Sequence, residues 1–587
     1  MNIHSARPAW RYFNPAFFAQ DDIKVTPRLT VNLGLRYEIP FPRTEAHNIL
    51  RGFDPTVPNP DPLVQGTRLG AIVGAGGQGG LQASSRSLVN TDYTDVAPRV
   101  GFAYSLTGRS VVRGGIGLYY APLLSSDIVS GLAGYNPGCV PPTCPGSTPN
   151  GRQSTSFLST MQPAPVPNPG GQFIGTDVDY FNPNFKEGRT LQYSLDYQHE
   201  LAKDWAFTVG YIGAHGTRLR SGFKRMNALP LADLKLGFPL LSEPLSAALS
   251  DANAVAYASS VGVTLPSSLA AVYPGFNGSV AQALRPFPQY GTVNQQLEDS
   301  GRSLYNALNV KVDKRFGYGL QFGLAYTFSK LITDASENLL DVANASNPLG
   351  NVVQNPYDIR SIRTVSPNNP AHVIVFNYVY ELPFGRGKRF ATQSGALNKI
   401  IGGWQFNGIQ RYQSGLPISV LNSDPLYTDQ FLNLVGFGGS IRPNLTGAPI
   451  LASAPVTGLS YQLLNPAAFA SPTPFNSPTS LGTIGSPAYA TYYADPNVFF
   501  GNAPPVISKI RVLPYYSENL SLLKRTGITE RFNLEFRTEI FNPFNRHRYF
   551  QPYNDLRDSG NFGKAAVVDQ PYVYDPRVIQ FGLKLIY

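Results

Sequence analysis

The chain has 587 residues, of which 14% are charged and 12% aromatic, with a formal net charge of +10. A soluble globular protein averages about 25% charged residues, so this composition excludes an ordinary set of water-solvated domains and points to a second solvent. Helical membrane bundles are excluded too, because no run approaches the roughly 18 to 20 apolar residues that a spanning helix needs, and thinly spread Lys and Arg exclude a nucleic-acid-binding face.

In chain order, two-residue alternation predicts thirteen strands, at 16–25, 29–39, 97–106, 111–121, 188–201, 205–220, 302–316, 320–334, 370–384, 404–420, 507–524, 531–549 and 577–587. Leu29, Val31, Leu33, Leu35 and Tyr37 alternate with Thr30, Asn32, Gly34, Arg36 and Glu38. Leu320, Phe322, Leu324, Tyr326 and Phe328 alternate with Gln321, Gly323, Ala325, Thr327 and Ser329. Successive strand side chains point to opposite faces, so each segment has one oily and one polar wall. The runs reach about nine residues or more, enough to cross a bilayer at a tilt. A membrane crossed by strands requires a closed wall, because hydrocarbon offers an open edge no hydrogen-bond partner.

Short turns alternate with long loops. Thr26-Pro27-Arg28, Lys203-Asp204 and Gly317-Tyr318-Gly319 are short, whereas the loops 40–96, 122–187, 221–301, 335–369, 421–506 and 550–576 are long, rich in Pro, Gly, Ser and Asn, and show no sustained period. Periplasmic turns are short and outer loops long in bacterial outer-membrane barrels. That rule runs the last strand inwards and places Tyr587 at the periplasmic rim. The first strand runs the same way. Antiparallel closure then needs an odd number of further strands, expected upstream. The N-terminal stretch has no apolar signal region, which carries the same expectation.

Cys139 and Cys144, in Cys-Val-Pro-Pro-Thr-Cys, are candidates for a disulfide closing a small loop in an oxidising compartment. The six histidines are scattered without metal-site spacing, so no cofactor or metal is expected and the chain reads as a non-enzyme. Gly114-Gly115-Ile116-Gly117 lies inside a strand, which favours close packing over phosphate binding. Glu535, Arg537 and Glu539 form an ionisable row on the polar wall. A hydrated lumen is polar by default, so a plug-contacting or substrate-facing role is the sharper alternative. Arg315, Arg389 and Arg525, near short turns, read as headgroup anchors, and the net charge as attraction to anionic lipid. Outer-membrane lipid or lipopolysaccharide is the expected surrounding partner, and nucleic acid is not expected.

The last eight residues fit an outer-membrane β-signal, polar-x-Gly-x-x-apolar-x-aromatic, with Gln580, Gly582, Leu585 and Tyr587 at its four defined positions. This resemblance implies docking onto the barrel-assembly machinery. Other short matches follow in order. They are Phe17-Phe18-Ala19-Gln20-Asp21-Asp22 with Leu33-Gly34-Leu35-Arg36-Tyr37-Glu38, Ala97-Pro98-Arg99-Val100-Gly101-Phe102-Ala103-Tyr104, and Leu304-Tyr305-Asn306-Ala307-Leu308 with Lys314-Arg315-Phe316. Then come Ala325-Tyr326-Thr327-Phe328-Ser329-Lys330, Tyr380-Glu381-Leu382-Pro383-Phe384-Gly385-Arg386-Gly387, Ser414-Gly415-Leu416-Pro417 and Glu539-Ile540-Phe541-Asn542-Pro543-Phe544-Asn545. In this order they resemble the barrel region of TonB-dependent transporters, in particular the Oar-like group.

The resemblance implies a barrel of 22 strands, a plug, a TonB box and often a carboxypeptidase-regulatory-like β-sandwich, the last three not visible in this sequence. The expected fold class is therefore all-β, an antiparallel transmembrane β-barrel with about thirteen of 22 strands, and residues 1–587 are its partial C-terminal barrel domain. The implied function is energised uptake of a solute, with TonB acting only through the plug and TonB box. Two other readings stay open: a passive barrel or surface adhesin, and a soluble all-β glycan-binding protein. Against the last, propeller blades repeat about every 40 to 50 residues, and the spacing here is irregular.

Overall fold

The computed structural model describes residues 10–587 apart from 47, 49, 65–67, 76–85, 122–173, 221–224, 297, 336–352, 386, 391–394, 424–429, 438–440, 454–459, 473–480, 496–497, 530, 548, 550 and 567–575. Cys139 and Cys144 lie outside the described residues.

Thirteen strands form one continuous path of neighbours in a single sheet. They are β1 Ala16–Thr26, β2 Leu29–Glu38, β3 Asp95–Thr107, β4 Ser110–Ala121, β5 Gly188–Ala202, β6 Trp205–Leu219, β7 Gly301–Gly317, β8 Leu320–Thr333, β9 His372–Glu381, β10 Trp404–Gln413, β11 Tyr515–Gly527, β12 Asn533–Phe541 and β13 Val578–Ile586. Every neighbour pair is consecutive in the chain and antiparallel. The pair Thr364–Val365 adds a short strand beside the end of β8. Each predicted segment corresponds to one strand of the path.

Register assigns the faces. Leu324 lies opposite Phe376 on β9 and Val312 on β7, so the oily rows align across strands. Gln321, Val379, Asn407, Ser521, Glu539 and Gln580 align on the other face. Oily-face side chains stay open to their surroundings; Phe328 is 46% and Leu195 53% exposed. Cationic stems on that face curl towards the short-turn end. Lys314 donates to the carbonyls of Gly317 and Leu320, each at 3.0 Å, and Lys524 to those of Ile400 at 2.7 Å and Gly402 at 2.9 Å. This is snorkelling, in which the apolar stem stays on the oily face while the ammonium finds oxygen.

Turn chemistry fixes the β7–β8 hairpin. Tyr318 and Gly319 both have positive φ, 54° and 80°, as a tight hairpin of the right twist demands. A Cβ at Gly319 would also lie 2.9 Å from the Glu381 carbonyl oxygen, so glycine is required there. Within β4, a Cβ at Gly114 would meet the Phe102 ring at 2.7 Å, and one at Gly115 the Val100 carbonyl oxygen at 3.2 Å. The glycine run serves close packing, as expected.

Four strands are at least five residues shorter than predicted, among them β9, His372–Glu381 against 370–384. The segment 507–524 is two strands, because Ile507–Arg511 pairs with Pro417–Ile418 and the wall strand begins at Tyr515. Pro514 between them has no N–H to give to a ladder. The segment 404–420 divides in the same way after Gln413. The segment 531–549 ends at Phe541, where Asn542 turns to a φ of 48°.

The larger correction concerns the loops, which carry regular structure and the main core. Five short helices, α1 Gly237–Ser242, α2 Leu245–Ser250, α3 Ala252–Ser260, α4 Leu269–Val272 and α5 Val280–Leu284, pack with Pro487–Ala494 from another loop. Asp251, Ser268, Ser279 and Ser486 cap four of these helices by accepting a backbone N–H. Three loops also combine into a four-stranded sheet, ordered Val293–Gln296, Val178–Phe181, Arg51–Pro58 and Leu69–Gly74. Among the described residues, large and fully buried side chains such as Tyr290, Tyr489, Tyr493, Phe431 and Phe499 belong to these loops rather than to the wall. Each such side chain contributes about 1.5 to 3 kcal/mol on burial. The long-loop end is thus a folded cap.

Asp233, half-buried in this cap, has its carboxyl pushed up to about 6 by burial. Its folded value exceeds the ordinary 3.8, so the stability it contributes is complete below about pH 4 and is lost as pH rises through about 6. Glu243 shifts in the same direction. Asp233→Asn is expected to flatten the decline in cap stability between about pH 4 and 6, read as amide exchange in α1–α5.

Candidate functional site: the polar wall and its cap

The terminal strand β13 pairs only with β12 among the described residues, in a register that sets Gln580 opposite Glu539, Gly582 opposite Arg537 and Leu585 opposite Leu534. The Gln580 amide donates to the Glu539 carboxylate. Leu585 and Tyr587, 54% and 96% exposed, continue the open oily row with Phe581 and Leu583. The four β-signal positions therefore divide by face, with Gln580 and Gly582 on the polar side. A Cβ at Gly582 would have Arg537 Cβ at 3.9 Å as its nearest neighbour, an ordinary contact.

Beside β13 the structure brings Glu535, Arg537 and Glu539 together with a fourth member. Arg525 Nε lies 3.0 Å from Glu535 Oε2, and an Arg537 guanidinium nitrogen lies 2.9 Å from Glu535 Oε1. Arg537 also reaches Glu539 at 3.5 Å. The row therefore spans β11, β12 and β13. Glu535 is buried under the two guanidinium groups, which supply the charge-assisted hydrogen bonds that a buried carboxylate needs. Arg525 is part of this row rather than the headgroup anchor its position beside a turn suggested. Its neighbour Lys524 takes the oily side. Counting by twos from Ser521 through Leu523 finds Arg525 on the polar face. Arg315 and Arg389 are exposed near short turns.

At the long-loop end the polar wall opens into a cavity of about 650 Å³, lined by Ser303, Tyr305, Thr327, Ser329, Thr333 and Asn369 among others. Asn369 latches the loop to the wall. Its Oδ1 accepts from Leu331 N at 3.0 Å and its Nδ2 donates to Ser329 Oγ at 3.1 Å. Leu219, Leu331, Ala335, Pro370 and Val373 make most of the lining apolar, with the hydroxyls and amides as scattered hydrogen-bonding points. Among the described residues, no three His, Cys, Asp or Glu side chains gather to hold a metal ion.

Above the vestibule, the cap is tied by buried polar side chains that sequence reading missed. Arg285 donates to the carbonyls of Gly291 at 3.1 Å and Leu434 at 2.6 Å, and also to that of Asn433. Burial lowers its guanidinium to about 10, still cationic near neutrality. Arg442 is similarly buried and lowered to about 10. Gln354 accepts from the backbone N–H of both Arg442 and Gly501. These residues stand in stretches without a period, so no pattern marks them.

A sequence profile for the family described as "Outer membrane beta barrel domain" matches residues 2–580. The chain belongs to that family. It is an all-β protein of the bacterial outer membrane, so the short-turn end is periplasmic and the cap extracellular. A search of curated proteins gives no match. Among solved structures, this outer-membrane protein is similar to the transporter YddB from Escherichia coli, with 9% identity, a TM-score of 0.38, and 97% of this chain and 53% of that one covered. The ferric citrate transporter FecA gives 9% identity and a TM-score of 0.36, covering 98% of this chain and 44% of that one. The ferripyoverdine receptor of Pseudomonas aeruginosa gives 10% and 0.35, covering 97% and 38%. The chain thus spans about half or less of the length of these transporters and receptors. Likeness at this level carries nothing about a substrate.

Proposed function

We infer that this chain is the C-terminal barrel portion of a TonB-dependent receptor of the Oar-like group, serving energised uptake or passage of a solute. The observation that supports the partial-barrel part of this reading is the direction of the two edge strands; the TonB-dependent and Oar-like parts rest on the ordered sequence matches. Thirteen successive antiparallel strands leave β1 and β13 running the same way. Copies in the same membrane orientation would meet at parallel junctions only, whichever edges they joined. An odd number of additional strands completes an antiparallel wall, and nine would reach the 22 of plugged outer-membrane transporters. In this reading the plug fills the lumen beside the Arg525–Glu535–Arg537–Glu539 row, and the plug's TonB box delivers energy from the inner membrane. The cap and vestibule receive the solute.

The test is the transcript 5′ of the Met1 codon. An in-frame plug with a TonB box is expected. A stop codon preceded by an independent promoter would overturn energy coupling and leave a passive barrel or adhesin.

The β-signal reading has its own test. A methyl at Gly582 meets nothing closer than 3.9 Å, so Gly582→Ala is expected to leave the folded wall within about 0.5 kcal/mol of the parent. Docking onto the assembly machinery reads the unfolded strand, so the same change is expected to cut outer-membrane yield severalfold. Equal yields would assign Gly582 no recognition role.

A further inference from the structure

We propose that Asp21 marks a docking edge: the strand that joins the wall beside β1 carries an arginine or lysine on its oily side, ion-paired to this carboxylate. The proposal rests on the partial-barrel reading and names the chemistry of the neighbour which that reading requires. Register puts Asp21 opposite Leu33, with Ala19 opposite Leu35 and Ile23 opposite Val31, so Asp21 stands in the oily row. The next residue, Asp22, faces the lumen and accepts from the Asn32 side-chain amide. Asp21 itself is exposed and has no hydrogen-bond or ionic partner among the described residues. The far edge of β1 pairs with no described strand.

Depth makes this carboxylate costly. From Thr26 at the short-turn end to Asp21 the strand climbs about 13 Å, at a rise of about 3.3 Å per residue and a tilt of about 40°, which is halfway up an oily band about 25 Å tall. A single methylene cannot carry the charge to either interface, as the long stems of Lys314 and Lys524 do. An ionisable group held at that depth calls for a partner. The wall contains its own comparison. Its other outward-facing acid, Glu518, lies opposite Gln410, which lies opposite Phe376 in the oily row. Arg546 folds back onto it from beyond β12, with Nε 2.9 Å from Oε1, and leaves the Glu518 side chain 1% exposed. Asp21 has no such cover. Strand β13 cannot provide it, because Ile579, Phe581, Leu583 and Leu585 form its outward row. The β1 edge of a second copy would set one carboxylate beside another. A further strand bearing a cation satisfies both the open ladder and the acid.

The experiment expresses the whole gene product, upstream coding sequence included, and reads the outer-membrane yield of heat-modifiable protein. Asp21→Leu should lower that yield about tenfold, because it strands the partner cation in hydrocarbon. Ala19→Leu, in the same row, should stay within about twofold of the parent. A carboxylate facing bare lipid predicts the opposite sign for Asp21→Leu, so a yield equal to the parent's or above it would overturn the proposal. Charge reversal separates pairing from a general folding defect. Asp21→Arg should fail alone, and should regain about half the parental yield or more once the arginine or lysine facing it is changed to aspartate. Failure of that swap would also overturn the proposal. The two levels come apart in the upstream sequence: an upstream strand with no outward-facing arginine or lysine sinks this inference alone, whereas the absence of any in-frame strand sinks the partial-barrel reading beneath it.

Discussion

Arg285→Ala is expected to unfold the extracellular cap while leaving the wall intact. Arg285 is 8% exposed, and its guanidinium holds carbonyls from two loops, its own at Gly291 and the distant Asn433 and Leu434. Alanine would take the guanidinium from the Leu434 carbonyl and one of two donors from each of the others, since Gly291 keeps the Asn227 amide at 2.7 Å and Asn433 the Gly436 N–H at 3.1 Å; a hydrogen bond to a charged group contributes about 1.5 to 3 kcal/mol. A total near 4 kcal/mol is expected, which is large against the stability of a small folded unit. Amide exchange in 280–291 and 431–437 should accelerate by two orders of magnitude or more, with β7 and β8 unchanged. Arg285→Lys should recover part of the loss, because an ammonium can serve fewer of the same oxygens. Unaltered exchange in both loops would show that the apolar core alone holds the cap.

The second large effect concerns the oily face. Leu324 lies opposite Phe376, midway along the lipid-facing row, and Asn377 is the next residue on β9 but faces the lumen. Leu324→Arg places a guanidinium in hydrocarbon and should cost about 2 to 4 kcal/mol. Asn377→Arg, at the same depth, enters the polar side near Asp313 and should cost under about 1 kcal/mol. Urea unfolding of the two variants in lipid vesicles measures the difference. Equal costs would mean that the faces are misassigned.

The wall was legible in the sequence because its physics is local. A strand between lipid and water must alternate, so β8 declares itself in Leu320 to Ser329 without reference to any partner. Its ends were less legible. The predicted segment runs on past the membrane into Ile507–Arg511, although Ile507 and Ile510 stand three apart and break the alternation, and the missing N–H of Pro514 marks the same boundary. Gly415 gave a second, unread mark: its chain passes so close to Val512 that a Cβ would lie 1.8 Å from that carbonyl oxygen. The cap was not legible. Helices of four to nine residues are too short to show a 3.6-residue period, and those packed inside a core are apolar on several sides. Its polar ties join residues far apart in sequence, such as Arg285 and Leu434. At the candidate site, the row of Glu535, Arg537 and Glu539 followed from alternation within one strand. Arg525 and Gln580 joined it only through register, which no single strand contains.

The terminal strand shows the same division. Its oily row and its polar Gln580 and Gly582 could be read directly. What they pair with, Glu539 and Arg537, required the sheet.

The central claim is that these strands stand between lipid and an aqueous lumen. Single cysteines along β8, in a background where Cys139 and Cys144 are replaced by serine, test it most directly. With the protein in outer membranes, a water-soluble maleimide should label positions 321, 323, 325 and 327 and spare 322, 324, 326 and 328. A lipid-dissolved quencher should reverse the order. Equal labelling at odd and even positions would contradict the account.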